Sequence, residues 1–175
     1  TTLLNLIGSL DKIDSGEILV CNYNLQNLTE QESIDFRLKK IGFIFQQHCL
    51  LPQMTLLENV LVPAVPLKSN PVDKAKELLK KVGLEKRMHF FPEQVSLGEQ
   101  QRAAVARSMI NSPELILADE PTGSVDKKKT TELMKMLTDL NNSGTTIVLV
   151  THSDYSADYM NKIYNLEYGK LERIK

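Results

Sequence analysis

Two cysteines are all the chain contains, and they exclude more than they offer. Cys21 and Cys49 form no CxxC pair and have no histidine at ligand spacing, so neither a disulfide framework nor a zinc site is expected, and a reducing compartment is favoured. Surplus charge of one sign is also lacking: 21 Lys and Arg stand against 22 Asp and Glu, a net charge of -1, so no global basic field is present to hold a nucleic acid backbone. Long apolar runs are missing too. Stretches such as Ile147 to Val150 are far too short to span a bilayer, and no charged-then-apolar leader opens the sequence. Internal repeats, low-complexity tracts and Pro/Gly linkers are likewise absent, which leaves no marked boundary between domains.

What remains is an ordinary globular composition, with 42% hydrophobic and 25% charged residues in 175 positions, enough for one compact core and at most a subdomain. Thr1 to Gly8 reads as the body of a helix. Gly16 to Val20 is a short β-prone run. Thr29-Glu30-Gln31-Glu32 has capping-box spacing and predicts a helix to about Lys39, followed by a strand in which Ile41, Phe43 and Phe45 alternate before Gln46. A second box, Thr55 to Glu58, opens another helix; Asn70-Pro71 predicts the start of a third, whose Val72, Ala75, Leu78, Leu79 and Val82 share one face and which stops at Gly83. Ser96 to Glu99 is a third box, for a helix running to about Met109. Leu115 to Ala118 is continuously apolar, as expected of a strand buried on both faces of a parallel sheet, and it ends in Asp119-Glu120. A helix from about Lys127 to Leu140 leads to the apolar strand Thr146 to Val150, which ends in Thr151-His152. A short helix near Tyr155 to Asn161 and a hairpin around Gly169 complete the chain. Alternating strands and helices predict an α/β fold with a largely parallel sheet.

In an open α/β sheet ligands bind beyond the carboxyl ends of the strands, so Gln46, Asp119-Glu120 and His152 are expected to converge on one site. Two adjacent carboxylates at a strand end project differently, so one can hold a hydrated Mg²⁺ while the other orients a water as general base. Ser96 and the free amides near Gly98, at a helix N-terminus, suit a phosphate. Taken alone, each feature has a plainer reading: an acidic loop, a polar loop residue, a structural histidine, a simple N-cap. His48 and His89 lack strand-end placement and read as ordinary core or surface residues. Lys127 to Lys129 read as a solvated helix turn.

In this order, the pieces resemble the nucleotide-binding subunits of ATP-binding cassette (ABC) transporters over essentially the whole chain. LILADE, Leu115 to Glu120, resembles the family's Walker B strand; Ser124-Val125-Asp126 its D-loop; Thr151-His152 its switch histidine; Phe45-Gln46 its Q-loop; and VSLGEQQR, Val95 to Arg102, its signature motif. Thr1-Thr2-Leu3-Leu4-Asn5 resembles the residues that follow the lysine of the phosphate loop. The resemblance implies a P-loop NTPase (RecA-like) parallel sheet, residues 1–46 and 105–175, with a helical subdomain carrying the signature, residues 47–104. Thr1 is then expected to ligate Mg²⁺ and Thr2 to touch phosphate, while Asp119 holds the metal through water. Glu120 is the expected general base. Gln46 is expected to sense the metal or the attacking water, and His152 to bond the γ-phosphate. Ser96, Gly98, Glu99 and Asp126 are the expected contacts to ATP across a head-to-tail dimer. A membrane permease is the implied partner, nucleic acid is not, and the implied location is the cytoplasmic face of the cell membrane. Leu50, Leu51, Pro52 and Met54 are either part of the helical core or an apolar surface for the permease.

Two departures carry expectations of their own. No GxxGxGK occurs, so the sequence is read as truncated inside the Walker A motif, with the N-terminal strands and phosphate loop missing. Leu97 stands where the signature commonly has its first glycine, and its bulk is expected to hinder approach to an opposing nucleotide. The run GFIFQQHCLLPQMTLLENV most resembles the lipoprotein-release and macrolide or peptide-export group. The rival readings are a non-catalytic remnant that only pairs with partner subunits, and a soluble ABC ATPase acting on nucleic acid or ribosomes. The interval from Gln46 to Ser96 leaves no room for a long coiled-coil insertion, which argues against the last.

Overall fold

The computed structural model describes residues 1–123 and 127–175. Helix α1 (Thr2–Ile7) leads to a small antiparallel pair, β1 (Leu19–Val20) with β2 (Tyr23–Asn24), and then to α2 (Glu30–Lys40) and β3 (Ile41–Ile44). Next come α3 (Leu56–Leu61), a 3₁₀ segment (Val62–Leu67), α4 (Val72–Lys81) and α5 (Leu97–Ser108). The chain continues through β4 (Leu115–Asp119), α6 (Lys127–Asn142), β5 (Thr146–Val150) and a hairpin of β6 (Tyr164–Glu167) with β7 (Lys170–Arg173).

The three predicted capping boxes all form. Thr29, Thr55 and Ser96 each accept a hydrogen bond from the backbone N–H three residues on, and Glu32, Glu58 and Glu99 reach back to the cap. Each such cap stabilises its helix by about 1 kcal/mol. The start of α4 differs from expectation: the helix begins at Val72, Pro71 takes the cap position without a side-chain bond, and the Val72 N–H donates to the Asn70 carbonyl instead of its side chain. The expected helix near Tyr155 is a 3₁₀ segment, Asp154–Tyr159, closed by an i to i+3 bond from Met160 N–H to the Ala157 carbonyl.

β3, β4 and β5 form a parallel sheet with β4 in the centre. The apolar run of β4 explains that position, since its two faces serve two cores. Leu115 and Leu117 pack with Leu4, Leu25 and Phe36 beneath α1 and α2. Ile116 and Ala118 pack on the opposite face with Val105 of α5 and with Leu133, Met134 and Leu137 of α6. A third cluster lies among helices: Leu56 and Val60 of α3, Ala75 and Leu79 of α4, and Ala103, Ala106 and Ile110 at and beyond α5. Helix α5 therefore serves both the sheet and the helical layer. Gly42 is required for that closeness, because a Cβ there would meet the Ser108 carbonyl oxygen at 2.5 Å.

Candidate active site

The register sets Ile44 opposite Ala118 and Asp119 opposite Val150, so the carboxyl ends of the three strands stand side by side. This brings Gln46, Asp119, Glu120 and His152 to one edge. Glu120 continues the ladder, its N–H donating to the Val150 carbonyl at 2.9 Å. Its backbone is left-handed, φ 45°. For a residue with a Cβ that conformation costs about 1–2 kcal/mol, and such strain concentrates where a side chain must be aimed.

The aim of the Glu120 carboxylate is fixed by the two residues just beyond β5. Oε1 accepts from the His152 backbone N–H at 2.9 Å and Oε2 from the Thr151 hydroxyl at 3.3 Å. Thr151 Oγ1 in turn accepts from Ser153 N–H at 3.0 Å. The His152 ring is almost wholly exposed, with Nε2 3.6 Å from Glu120 Oε1. Gln46 borders the same place: its Nε2 lies 3.6 Å, and Glu120 Cβ 3.8 Å, from the point a Cβ on Gly123 would occupy. Beside them the Thr1 hydroxyl donates to Asp119 Oδ2 at 2.7 Å, while Thr2 is the exposed first residue of α1. Among the described residues no three His, Cys, Asp or Glu side chains cluster as a metal cage.

The start of α5 is built separately. Ser96 Oγ accepts from Glu99 N–H at 3.3 Å and donates to Glu99 Oε2 at 2.8 Å, and the Ser96 N–H also donates to Oε2 at 2.8 Å. These bonds hold the Glu99 carboxyl below its ordinary pKa, helped by Arg87, whose Nε is 3.5 Å from Oε1. Gly98 is buried against α6, where a Cβ would stand 3.1 Å from Lys129 Cδ. Leu97 is 46% exposed. Asp126, with Ser124 and Val125, lies outside the described residues.

Beyond Gln46 the chain makes a tight turn in which His48 and Cys49 are both left-handed, φ 54° and 49°. His48 is buried with Nδ1 unpaired, and burial together with Arg107 pushes its pKa down. Leu50 packs on the helical core, whereas Leu51 and Met54 are exposed. The side chain of Asn59, fully buried, bonds the carbonyls of Leu51, Met54 and Thr55 and the Leu51 N–H. Thr151, Asn59 and Arg107 are residues that sequence reading did not single out. Thr151 sat next to a chosen residue, and Arg107 stood as the one charged residue in the last turn from Val105 to Met109.

Residues 1–123 match the model of the ABC transporter family. The chain belongs to that family. It is 41% identical over 179 residues to the lipoprotein-releasing system ATP-binding protein LolD of Francisella tularensis subsp. tularensis (strain FSC 198), covering 99% of this chain and 78% of that protein. Against the macrolide export ATP-binding/permease protein MacB of Pasteurella multocida (strain Pm70) it is 39% identical over 174 residues, 98% of this chain and 27% of that protein. A solved dimeric structure of a post-hydrolysis state of the ATP-binding cassette MJ0796, bound to ADP and Pi, superposes with a TM-score of 0.88 at 38% identity, covering 99% of this chain and 80% of that one. This ABC chain thus has the P-loop NTPase fold and falls in the group of lipoprotein-release and macrolide-export ATP-binding proteins.

Proposed function

We propose that this ABC subunit hydrolyses ATP between two copies arranged head to tail, and that the cycle energises a membrane permease from the cytoplasmic face. The observation that carries the reading is the Glu120 carboxylate, held at the end of the central strand by His152 N–H and Thr151 Oγ1 and bordered by Gln46. Each carboxylate oxygen accepts one bond and keeps a further lone pair, so Glu120 can still take a proton from a water attacking the γ-phosphorus. The oxygen–phosphorus bond forms as the bond to the ADP oxygen breaks, and the proton rests on the carboxylate. Gln46 orients that water. The exposed His152 ring reaches the γ-phosphate, and Thr2 bonds phosphate.

Mg²⁺ fits the donors present. Thr1 Oγ1 would ligate the ion and Asp119 Oδ2, in contact with that hydroxyl at 2.7 Å, would hold it through water; such hard oxygen donors with one carboxylate suit an ion that keeps several waters and shares substrate phosphates. When bound it supplies neutralisation of charge on the transferring phosphoryl group. Ser96, the Gly98 amide, Glu99 and Asp126 are assigned to the nucleotide held mainly by the second copy, at a helix N-terminus suited to an anion. The division into a RecA-like core, 1–46 and 105–175, and a signature-bearing helical subdomain, 47–104, belongs to the same reading. Leu51 and Met54 are assigned to the permease surface. Among the described residues no helix is long and apolar enough to cross a membrane.

The test is ATP turnover by the native protein purified with its membrane partner. Glu120→Gln should lower turnover by about 10² to 10⁴ while ATP binding persists, the range a positioned base supplies. Light scattering should then show an ATP-trapped dimer. Undiminished turnover in Glu120→Gln would remove Glu120 from the chemistry.

A further inference from the structure

Helix α5 grips the segment around Gln46 on both sides. Before Gln46, Gly42 of β3 lies against the Ser108 carbonyl with no room for a Cβ. After it, Arg107 Nη2 donates to the His48 carbonyl at 2.6 Å and Nη1 donates to the Cys49 carbonyl. Residues 42 and 48–49 are therefore fastened to one turn of one helix, with Gln46 between them.

The second grip depends on the chemistry of the guanidinium. Its fixed fork can meet two successive carbonyls at once, which a lysine ammonium, a point donor, cannot do with the same geometry. The carbonyls face the fork because His48 and Cys49 are left-handed, while the His48 N–H turns back to the Phe45 carbonyl at 3.0 Å. Without an external hold, two consecutive left-handed residues other than glycine would relax toward right-handed conformations. At its other end α5 begins at Leu97, next to the Ser96 cap, and its 12 residues make a stiff rod about 18 Å long, packed on both the sheet and the helical core.

We propose that Arg107 is a positioning residue that makes the Gln46 segment move as one body with α5, so that a displacement of the Ser96 end reaches Gln46 directly through the helix. The proposal rests on the reading of Gln46 and Ser96 as parts of one nucleotide cycle. The Arg107 guanidinium bonds the His48 and Cys49 carbonyls and is assigned no contact with nucleotide. Its loss should misplace Gln46 without removing any group that binds ATP, and misplacement on the scale of 1 Å can cost up to about 10² in rate.

The experiment uses the native protein with its membrane partner and the variants Arg107→Ala, Arg107→Lys and Arg107→Lys/Cys49→Gly. Steady-state ATP turnover is measured together with amide hydrogen exchange over residues 46–54. We expect kcat to fall about tenfold in the alanine variant and about threefold in the lysine variant, with KM within about twofold, since only positioning is lost. Exchange over residues 46–54 should rise in both. Glycine tolerates the left-handed conformation at position 49 but does not refasten the turn to α5, so kcat in the double variant should stay as low as in Arg107→Lys. A role confined to holding the turn's backbone would instead be rescued by that glycine. Unchanged exchange in Arg107→Lys, unchanged kcat, or recovery of kcat in the double variant overturns the proposal, and the lysine variant keeps it testable should the alanine variant not fold. Glu120→Gln is run in parallel. If Glu120→Gln keeps full turnover the hydrolytic reading fails, whereas the exchange data still decide the clamp.

Discussion

The strand ends and the start of α5 are both assigned to ATP, yet they are built in opposite ways. At the strand ends the contacts are long-range: Thr1 meets Asp119 from 118 positions away, and Glu120 is held by residues 31 and 32 positions further on. At Ser96 the cap closes within three residues and repeats the bonds of Thr29 and Thr55 almost atom for atom. The first arrangement exists only because the sheet brings it together, so its geometry speaks for a site. The second is a common local solution, and its geometry does not separate a phosphate contact from a cap.

A paired substitution separates them. Ser96→Ala and Thr29→Ala remove the same set of local bonds, so each should cost about 1 kcal/mol and lower the melting temperature by about 2–4 °C. Turnover should part company. If Ser96 contacts phosphate across the proposed dimer, Ser96→Ala should reduce ATP hydrolysis about tenfold or more, while Thr29→Ala stays within about twofold of the parent. Thermal melts and steady-state assays on the two variants make the comparison, and equal turnover would reduce Ser96 to a cap.

Sequence reading went furthest where a short-range rule and a tertiary demand coincided. The capping boxes needed only three-residue spacing, and β4 needed only an apolar run too short for a helix, so both were legible from residue types and their order alone. The convergence of Gln46, Glu120 and His152 was legible because a parallel sheet aligns its carboxyl ends. Pairing between a side chain and a distant backbone was not legible. Asn59 reaching the Leu51, Met54 and Thr55 carbonyls, and Arg107 reaching His48 and Cys49, leave no periodicity in the sequence, because carbonyls are present at every position. The left-handed Glu120 was invisible for a related reason: glycine announces positive φ, and glutamate does not.

The next smaller effect concerns Leu97, the departure from the signature pattern. Its side chain is 46% exposed beside a buried Gly98, so it contributes little to the core, and under the proposed head-to-tail arrangement a second subunit would approach it. Leu97→Gly should raise turnover by about two- to fivefold by removing that bulk, against a helix cost of no more than about 1 kcal/mol at this terminal position. Assays at saturating ATP decide it. Turnover no higher than the parent's would mean that the interface already accommodates leucine.

The smallest effect sharpens the comparison through pH. Both Glu99 and His48 have pKa values lowered by the fold, but for different reasons: Glu99 by bonds from Ser96 to its charged form, His48 by burial of a ring that then resists protonation beside Arg107. The sign of the linkage is the same for both. A lowered native pKa means that the unfolded chain binds the proton first, so stability is complete above the ordinary value and declines as pH falls toward the native one. The windows differ. The His48 contribution begins to fade below its ordinary value of 6.5, and the Glu99 contribution only below 4.5. Urea melts between pH 7.5 and about 5 should therefore show a decline in stability that is shallower in His48→Gln, which stays uncharged, and unaltered in Glu99→Gln. An identical slope in the parent and His48→Gln would mean that the buried imidazole accepts its proton as easily in the folded protein as in the unfolded chain, and the turn after Gln46 would then have no part in the acid sensitivity of the protein.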